Sequence, residues 1–148
     1  MARGKDLNAD EQARREVLIH SPVVAIIGRS NDHYYTSYQV GEYLIKEGYT
    51  VYNVNPMIDD VDGAPSYPTL KDVPDKIDIV DVFRKSDYLP EIVDEAIAVG
   101  AKTVWAQEGV VSDEAREKAL SAGLNYGDDF CMRKEHERLF KNMVHGEV

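Results

Sequence analysis

The chain has 148 residues, 43% hydrophobic and 30% charged, and its 27 Asp and Glu against 17 Lys and Arg give a formal charge of −10. That length suits one domain able to bury roughly two-thirds of its unfolded surface, and that composition is ordinary for a folded globular protein. The acidity disfavours adhesion to nucleic acid or anionic membranes, while no apolar run approaches the roughly 20 residues of a membrane span.

The N-terminal stretch MARGKDLNADEQARREV carries no hydrophobic segment of a signal peptide. A cytoplasmic protein is expected. Asn8 or Asp10 is placed to cap a first helix reaching Ile19, with acidic residues near its start where the helix dipole favours them. Leu7, Val17 and Leu18 are its apolar contacts.

VVAII, Val23 to Ile27, is a short β-branched run ending at Gly28, the pattern of a strand buried on both faces of a parallel sheet. Val40, Tyr43 and Leu44 then recur at helical spacing within a helix from about Ser37 to Lys46, which Gly48 stops. TVYNVNP is a second strand closed by Asn55-Pro56, so the segment reads as a βαβ unit.

Residues 57–76 are punctuated by Pro65, Pro68 and Pro74 and read as loop with at most a short helical turn. IDIVDVF is the third strand, and Asp87 caps a helix from about Tyr88 to Val99 that Gly100 ends. KTVWAQ is the fourth strand, Ser112 to Ala122 the next helix, LNYG a short fifth strand, and Met132 to Met143 a closing helix. This alternation predicts a three-layer, doubly wound α/β fold, Rossmann-like, with a mainly parallel sheet of about five strands. Ligands of such sheets lie beyond the carboxyl ends of the strands, here the loops at Gly28, Asn55, Phe83 and Ala106.

The Gly28 loop reads Gly-Arg-Ser-Asn-Asp, with one glycine where a dinucleotide fingerprint needs three, and the second strand ends in neutral Asn55. NAD is disfavoured, and no Gly-Lys-Ser/Thr cradle exists for a P-loop hydrolase. What remains is Arg29 as a cation, the hydroxyls of Ser30, Thr36 and Ser37, and a helix whose free N–H groups suit phosphate. An ordinary connection needing Gly28 for its φ angle accounts for the same residues.

Phe83, Arg84 and Lys85 place an aromatic face and two cations at the end of the third strand, either for a phosphorylated ligand or as a solvated loop edge. Trp105 at the end of the fourth reads as packing. The lone Cys131 excludes an intrachain disulfide, and with His136 on the same helix and no orienting third group it makes a poor nucleophilic pair. His20, His33, His136 and His145 show no metal-ligand spacing with it.

Taken together, VVAIIGRS, EGYTVYNVNP, YPTLKDVPDKIDIVDVFR, GAKTVWAQEGV and CMRKEHERL resemble the small CoA-binding proteins. These are single-domain relatives of the N-terminal domain of the succinyl-CoA synthetase α subunit. The resemblance implies coenzyme A or an acyl-CoA as ligand, bound by a non-catalytic module. Two alternatives stand beside it: an acyl-CoA-using enzyme involving Cys131 and His136, or an interaction protein that has lost the ligand.

By that resemblance Gly28, Arg29 and Ser30 meet the phosphates, with Ser37 and Tyr38 at the start of the following helix. Asn55 and Pro56 lie near the nucleotide end, Val82, Phe83 and Arg84 flank the adenine or pantetheine, and Ala106, Gln107 and Glu108 receive the pantetheine arm. A neutral Asn55 also suits the 3′-phosphate of CoA. The division implied is an N-terminal helix over residues 1–21, a CoA-binding Rossmann-like domain over 22–142 and a tail over 143–148. Relatives often carry Lys where this chain has Met57 and Arg where it has Phe130. Each lost charged hydrogen bond costs about 1.5–3 kcal/mol, about tenfold to a hundredfold in affinity.

Overall fold

In the computed structural model, which describes residues 2–141, Asp10 sets the start of the first helix. Its carboxylate accepts the Ala13 N–H at 3.0 Å, and α1 runs Glu11–His20. Asn8 does other work. Its side chain donates to the Asp128 carbonyl at 2.7 Å and accepts the Asp128 N–H at 2.9 Å, tying the N-terminal segment to the far end of the sequence.

Among the described residues seven strands form one sheet: β1 Val23–Ile27, β2 Thr50–Val54, β3 Asp60–Val61, β4 Ala64–Tyr67, β5 Ile79–Val82, β6 Thr103–Ala106 and β7 Asn125–Gly127. Their order in space is β3-β4-β2-β1-β5-β6-β7. Every neighbouring pair is parallel except β3 with β4.

Alternation along the strands builds two cores. Ala25, Ile27, Val80, Val82, Val104 and Ala106 face α3 (Leu89–Ala98) and α4 (Asp113–Ser121). Val24, Ile26, Ile79 and Trp105 face α1, α2 (Thr36–Lys46) and α5 (Met132–His136). The result is the expected three-layer, Rossmann-like α/β fold.

The sheet is wider than the five strands expected, because residues 57–76 hold a hairpin. Asp62 and Gly63, with φ of 50° and 89°, form the two-residue turn between β3 and β4. This is the Asp-Gly chemistry such hairpins require. Pro65 is tolerated because β4 is short and lies next to the sheet edge.

Two helix boundaries also differ. Asp87 does not cap the third helix: Ser86–Tyr88 is a 3-10 turn, and α3 opens without a side-chain cap, with Pro90 in its first turn. The closing helix is α-helical only through His136 and continues as a π-helical turn over Glu137–Lys141. Its expected end at Met143 and the 143–148 tail lie outside the described residues. Among those residues, no helix is long and apolar enough to cross a membrane.

Candidate functional site

The chain leaves β1 for β2 on one side and returns to β5 on the other, so the carboxyl ends of β1 and β5 form the topological switch point. Ladder hydrogen bonds run one residue past each strand and bring the loop starts level. Gly28 N–H donates to the Val54 carbonyl (2.8 Å), Asn55 N–H to Tyr67 (2.9 Å), Phe83 N–H to Ile27 (2.9 Å) and Gln107 N–H to Val82 (3.2 Å).

Three cavities follow one another along this edge. The first, about 260 Å³, has Ile27, Val54, Leu70 and Ile92 among its apolar lining, with Arg84, Tyr88, Glu91 and Glu95. A second, about 400 Å³, is lined by Gly28, Ser30, Tyr35, Thr36, Ser37 and Phe83. Ile27 precedes Gly28 and Phe83 precedes Arg84, so the two abut. The third, about 330 Å³, shares Thr36 and adds Gln39, Glu108, Cys131 and Lys134.

The second cavity has anion-binding features. Gly28, at φ 85°, sits so close to β5 that an added Cβ would lie 2.4 Å from the Phe83 carbonyl oxygen. Only glycine fits both conditions. Ser37 Oγ accepts the Ser30 N–H, and Ser30 Oγ accepts the Asp32 N–H, each at 2.9 Å. The start of α2 has no side-chain cap and no acidic residue in its first turn, leaving N–H groups and dipole for a negative ligand.

Arg29 is not a cation of this cavity. Its side chain is 2% exposed, with Nη1 donating to Asn53 Oδ1 at 2.9 Å and Nη2 to the Tyr38 carbonyl at 3.0 Å. Burial holds the guanidinium below its usual range. It anchors α2 to the sheet, over the gap left by Gly41.

Tyr38 is likewise turned inward. Its hydroxyl donates to the Asp62 carboxylate, which also meets His33 Nε2 at 2.9 Å, and the His33 ring stacks on Tyr38 with centroids 4.1 Å apart. The hydrogen bond to Asp62, with burial behind it, pushes the Tyr38 hydroxyl up to about 12. Asn55 joins loops: its Nδ2 donates to the Arg29 carbonyl at 3.0 Å and its Oδ1 accepts the Met57 N–H at 3.0 Å.

Of the other expected site residues, Pro56 and Arg84 line the first cavity, Gly28, Ser30, Ser37 and Phe83 the second, and Glu108 the third. Val82 and Ala106 are core residues that contribute strand-end backbone. Gln107 Oε1 is buried without a partner. Glu108 holds Lys134 Nζ at 3.1 Å.

Met57 is 85% exposed. Phe130 stacks on Trp105 with centroids 4.3 Å apart, and the Arg14 guanidinium lies 5.8 Å from its ring centroid. Cys131 is 4% exposed, and burial pushes its thiol up. His136 is engaged elsewhere, its Nδ1 2.7 Å from the Tyr43 hydroxyl.

Tyr88, Glu91, Ile92 and Glu95 were not singled out in the sequence. Tyr88 ends the 3-10 turn that leads into α3, and Glu91, Ile92 and Glu95 follow it at i+3, i+4 and i+7, continuing one stripe along α3. A stripe mixing one aliphatic with two acids resembles a solvated helix flank until the cavity beneath it is seen.

A Rossmann-like sheet with a chain of cavities at its switch point defines a nucleotide-cofactor-binding class of fold. The CoA binding domain model matches residues 22–137, and the chain belongs to that family. It is similar to YneT of Bacillus subtilis, 33% identical over 129 residues that cover 87% of this chain and 96% of that protein.

A hypothetical protein from Pyrococcus horikoshii has the same fold at TM-score 0.86 and 38% identity, covering 94% of this chain and 99% of the other. An ADP-forming acetate–CoA ligase of Archaeoglobus fulgidus is 30% identical over 90% of this chain, which spans 21% of that enzyme.

Proposed function

We propose that the protein binds coenzyme A or an acyl-CoA along the three cavities, as a non-catalytic binding or regulatory module. The observation that carries this reading is the set of neighbouring cavities at the strand ends, with an uncapped helix start among them. Adenine and the 3′-phosphate take the first cavity, where Arg84 lies over the Tyr88 ring at 4.5 Å and forms no ion pair among the described residues. The pyrophosphate takes the second, facing the N–H groups of α2. The pantetheine arm passes Thr36 towards Gln107, Glu108 and Cys131.

Family membership and the likeness of this chain to part of a CoA ligase support the choice of ligand. Tyr34 and Tyr35 are 85% and 57% exposed, so neither ring plugs the groove, which argues against a fold that has lost its ligand. A buried thiol held in its neutral form is a poor nucleophile, which favours binding over turnover. Calorimetric titration tests the reading: saturable 1:1 binding is expected, tighter for CoA than for dephospho-CoA. Absence of saturable binding by either overturns it. The non-catalytic part fails if the protein hydrolyses or transfers any of a panel of acyl-CoA thioesters and Cys131→Ser stops it.

A further inference from the structure

At the opposite edge of the sheet, where β1, β6 and β7 begin, a further cavity of about 270 Å³ opens beside α1. Its floor is closed to solvent, with Ser21 6% and Thr103 1% exposed. Lys5, His20 and Lys102 stand round it with one acid, Glu16. The backbone pins Lys5 in place: its N–H donates to the Asn125 side chain and its carbonyl accepts the Tyr126 N–H, each at 3.0 Å. Gly4 before it packs so tightly that an added Cβ would clash with the Leu124 carbonyl oxygen.

More donors than free acceptors line this cavity. The Ser21 hydroxyl has no hydrogen-bond partner among the described residues, an uncommon state for a side chain so nearly buried. Thr103 Oγ1 accepts from Asn125 Nδ2 at 3.3 Å, which leaves its own hydrogen to donate. Lys5 Nζ joins no ion pair or hydrogen bond among the described residues, and Lys102 Nζ reaches Asp78 only at 3.5 Å. The acids are already engaged: Asp78 accepts the Val23 N–H at 2.9 Å, and Glu16 accepts from Gln12 at 3.3 Å.

We propose that this cavity is a second binding site, for a small oxyanion, separate from the groove. Ser21 and Thr103 donate hydrogen bonds to its oxygens, and Lys5 and Lys102 supply the charge that strengthens them. The cavity is smaller than the roughly 300 Å³ at which pockets for larger organic ligands begin, which suits a compact ion. Lys5, His20 and Ser21 precede residue 22, where the family match starts. The site is therefore built by this chain's own N-terminal segment on the edge of the sheet that the groove does not use.

The experiment follows amide shifts of the full chain while inorganic phosphate, and separately acetate, is added at constant ionic strength. About 100 mM sodium chloride screens attraction beyond ~10 Å. Saturable shifts are expected at residues 4–5, 20–23, 102–104 and 125, and the tighter of the two probes assigns the site to phosphates or to carboxylates. With thermal midpoints preserved, Ser21→Ala weakens binding about threefold or more, and Lys5→Met/Lys102→Met about tenfold or more.

Shifts that never saturate overturn the proposal. So does a Ser21→Ala variant that binds as the parent does, because diffuse surface charge then explains the attraction. Saturable shifts confined to Ser30, Thr36 and Ser37 overturn it as well and leave the cofactor reading standing. Saturation at the amino edge in a protein that fails to bind CoA does the reverse.

Discussion

The Arg29 guanidinium donates to the Asn53 side chain at 2.9 Å, across the pair of strands that begins the fold. Both residues are 2% exposed. The cation lies 3.6 Å from Glu42 and over the Tyr38 ring at 4.9 Å, so one side chain links β1, β2 and α2. Replacing Asn53 by Ala removes an acceptor from a buried charge. We expect a loss of about 2–3 kcal/mol, read as a lower urea midpoint at unchanged slope; a loss under about 0.5 kcal/mol refutes the anchoring role.

Gly28→Ala tests the close approach of β1 and β5. The left-handed backbone alone costs a residue with a Cβ about 1–3 kcal/mol, and the contact with the Phe83 carbonyl adds to it. A thermal midpoint lowered by several degrees is expected, along with weakened CoA binding. An unshifted midpoint refutes the geometry.

Asp81 gives stability a pH dependence. It is fully buried on β5, in register between Ile26 and Trp105, and neither of its side-chain oxygens has a partner. Burial pushes its carboxyl up to about 8, far above the ~3.9 of an unfolded chain. The folded state therefore holds a proton that the unfolded state has released, and stability falls as pH rises towards 8.

Half-buried His136 titrates below its usual range because of that burial and opposes this trend below pH ~6.5, which leaves pH 6.5 to 8 as the clean window. Denaturation across that window should show declining stability in the parent and a flatter profile in Asp81→Asn. Parallel profiles refute the assignment.

Much of this was legible in advance. The β-branched runs at residues 23–27 and 77–83 and the glycines that end helices show the alternation of a doubly wound fold, because a parallel strand must be apolar on both faces. The hairpin was hidden: Asp62-Gly63 is its turn signal, yet the surrounding prolines outweighed it. For the site, the sequence locates the loops but not the direction of their side chains. Arg29 and Tyr38 are placed as ligand contacts would be, but Arg29 turns into the interior where Gly41 leaves room for it, and Tyr38 packs beneath the β3–β4 hairpin, where Asp62 receives its hydroxyl.

Tyr38→Phe isolates the tie between the hairpin and α2. Losing a hydrogen bond to a carboxylate costs about 1.5–3 kcal/mol at full burial, and less here, where Asp62 is exposed. The sharper readout is amide exchange, which should quicken across residues 60–67 while β6 keeps its protection. Uniform acceleration refutes a local tie.

Arg84→Ala addresses the nucleotide end. On the proposed placement it weakens CoA about tenfold to a hundredfold and dephospho-CoA much less, since only the former carries the 3′-phosphate. Equal losses for the two compounds place Arg84 elsewhere.

Trp105 is the chain's single tryptophan, and it is sealed in the interior with its indole N–H donating to the Phe130 carbonyl at 3.0 Å. Phe130 adjoins Cys131, which lines the third cavity. Tryptophan emission, excited at the red edge where the nine tyrosines do not absorb, therefore comes from one site, a hydrogen bond and a peptide link away from the residue at the groove's end, giving the protein a built-in optical probe of that end of the groove without any dye or label.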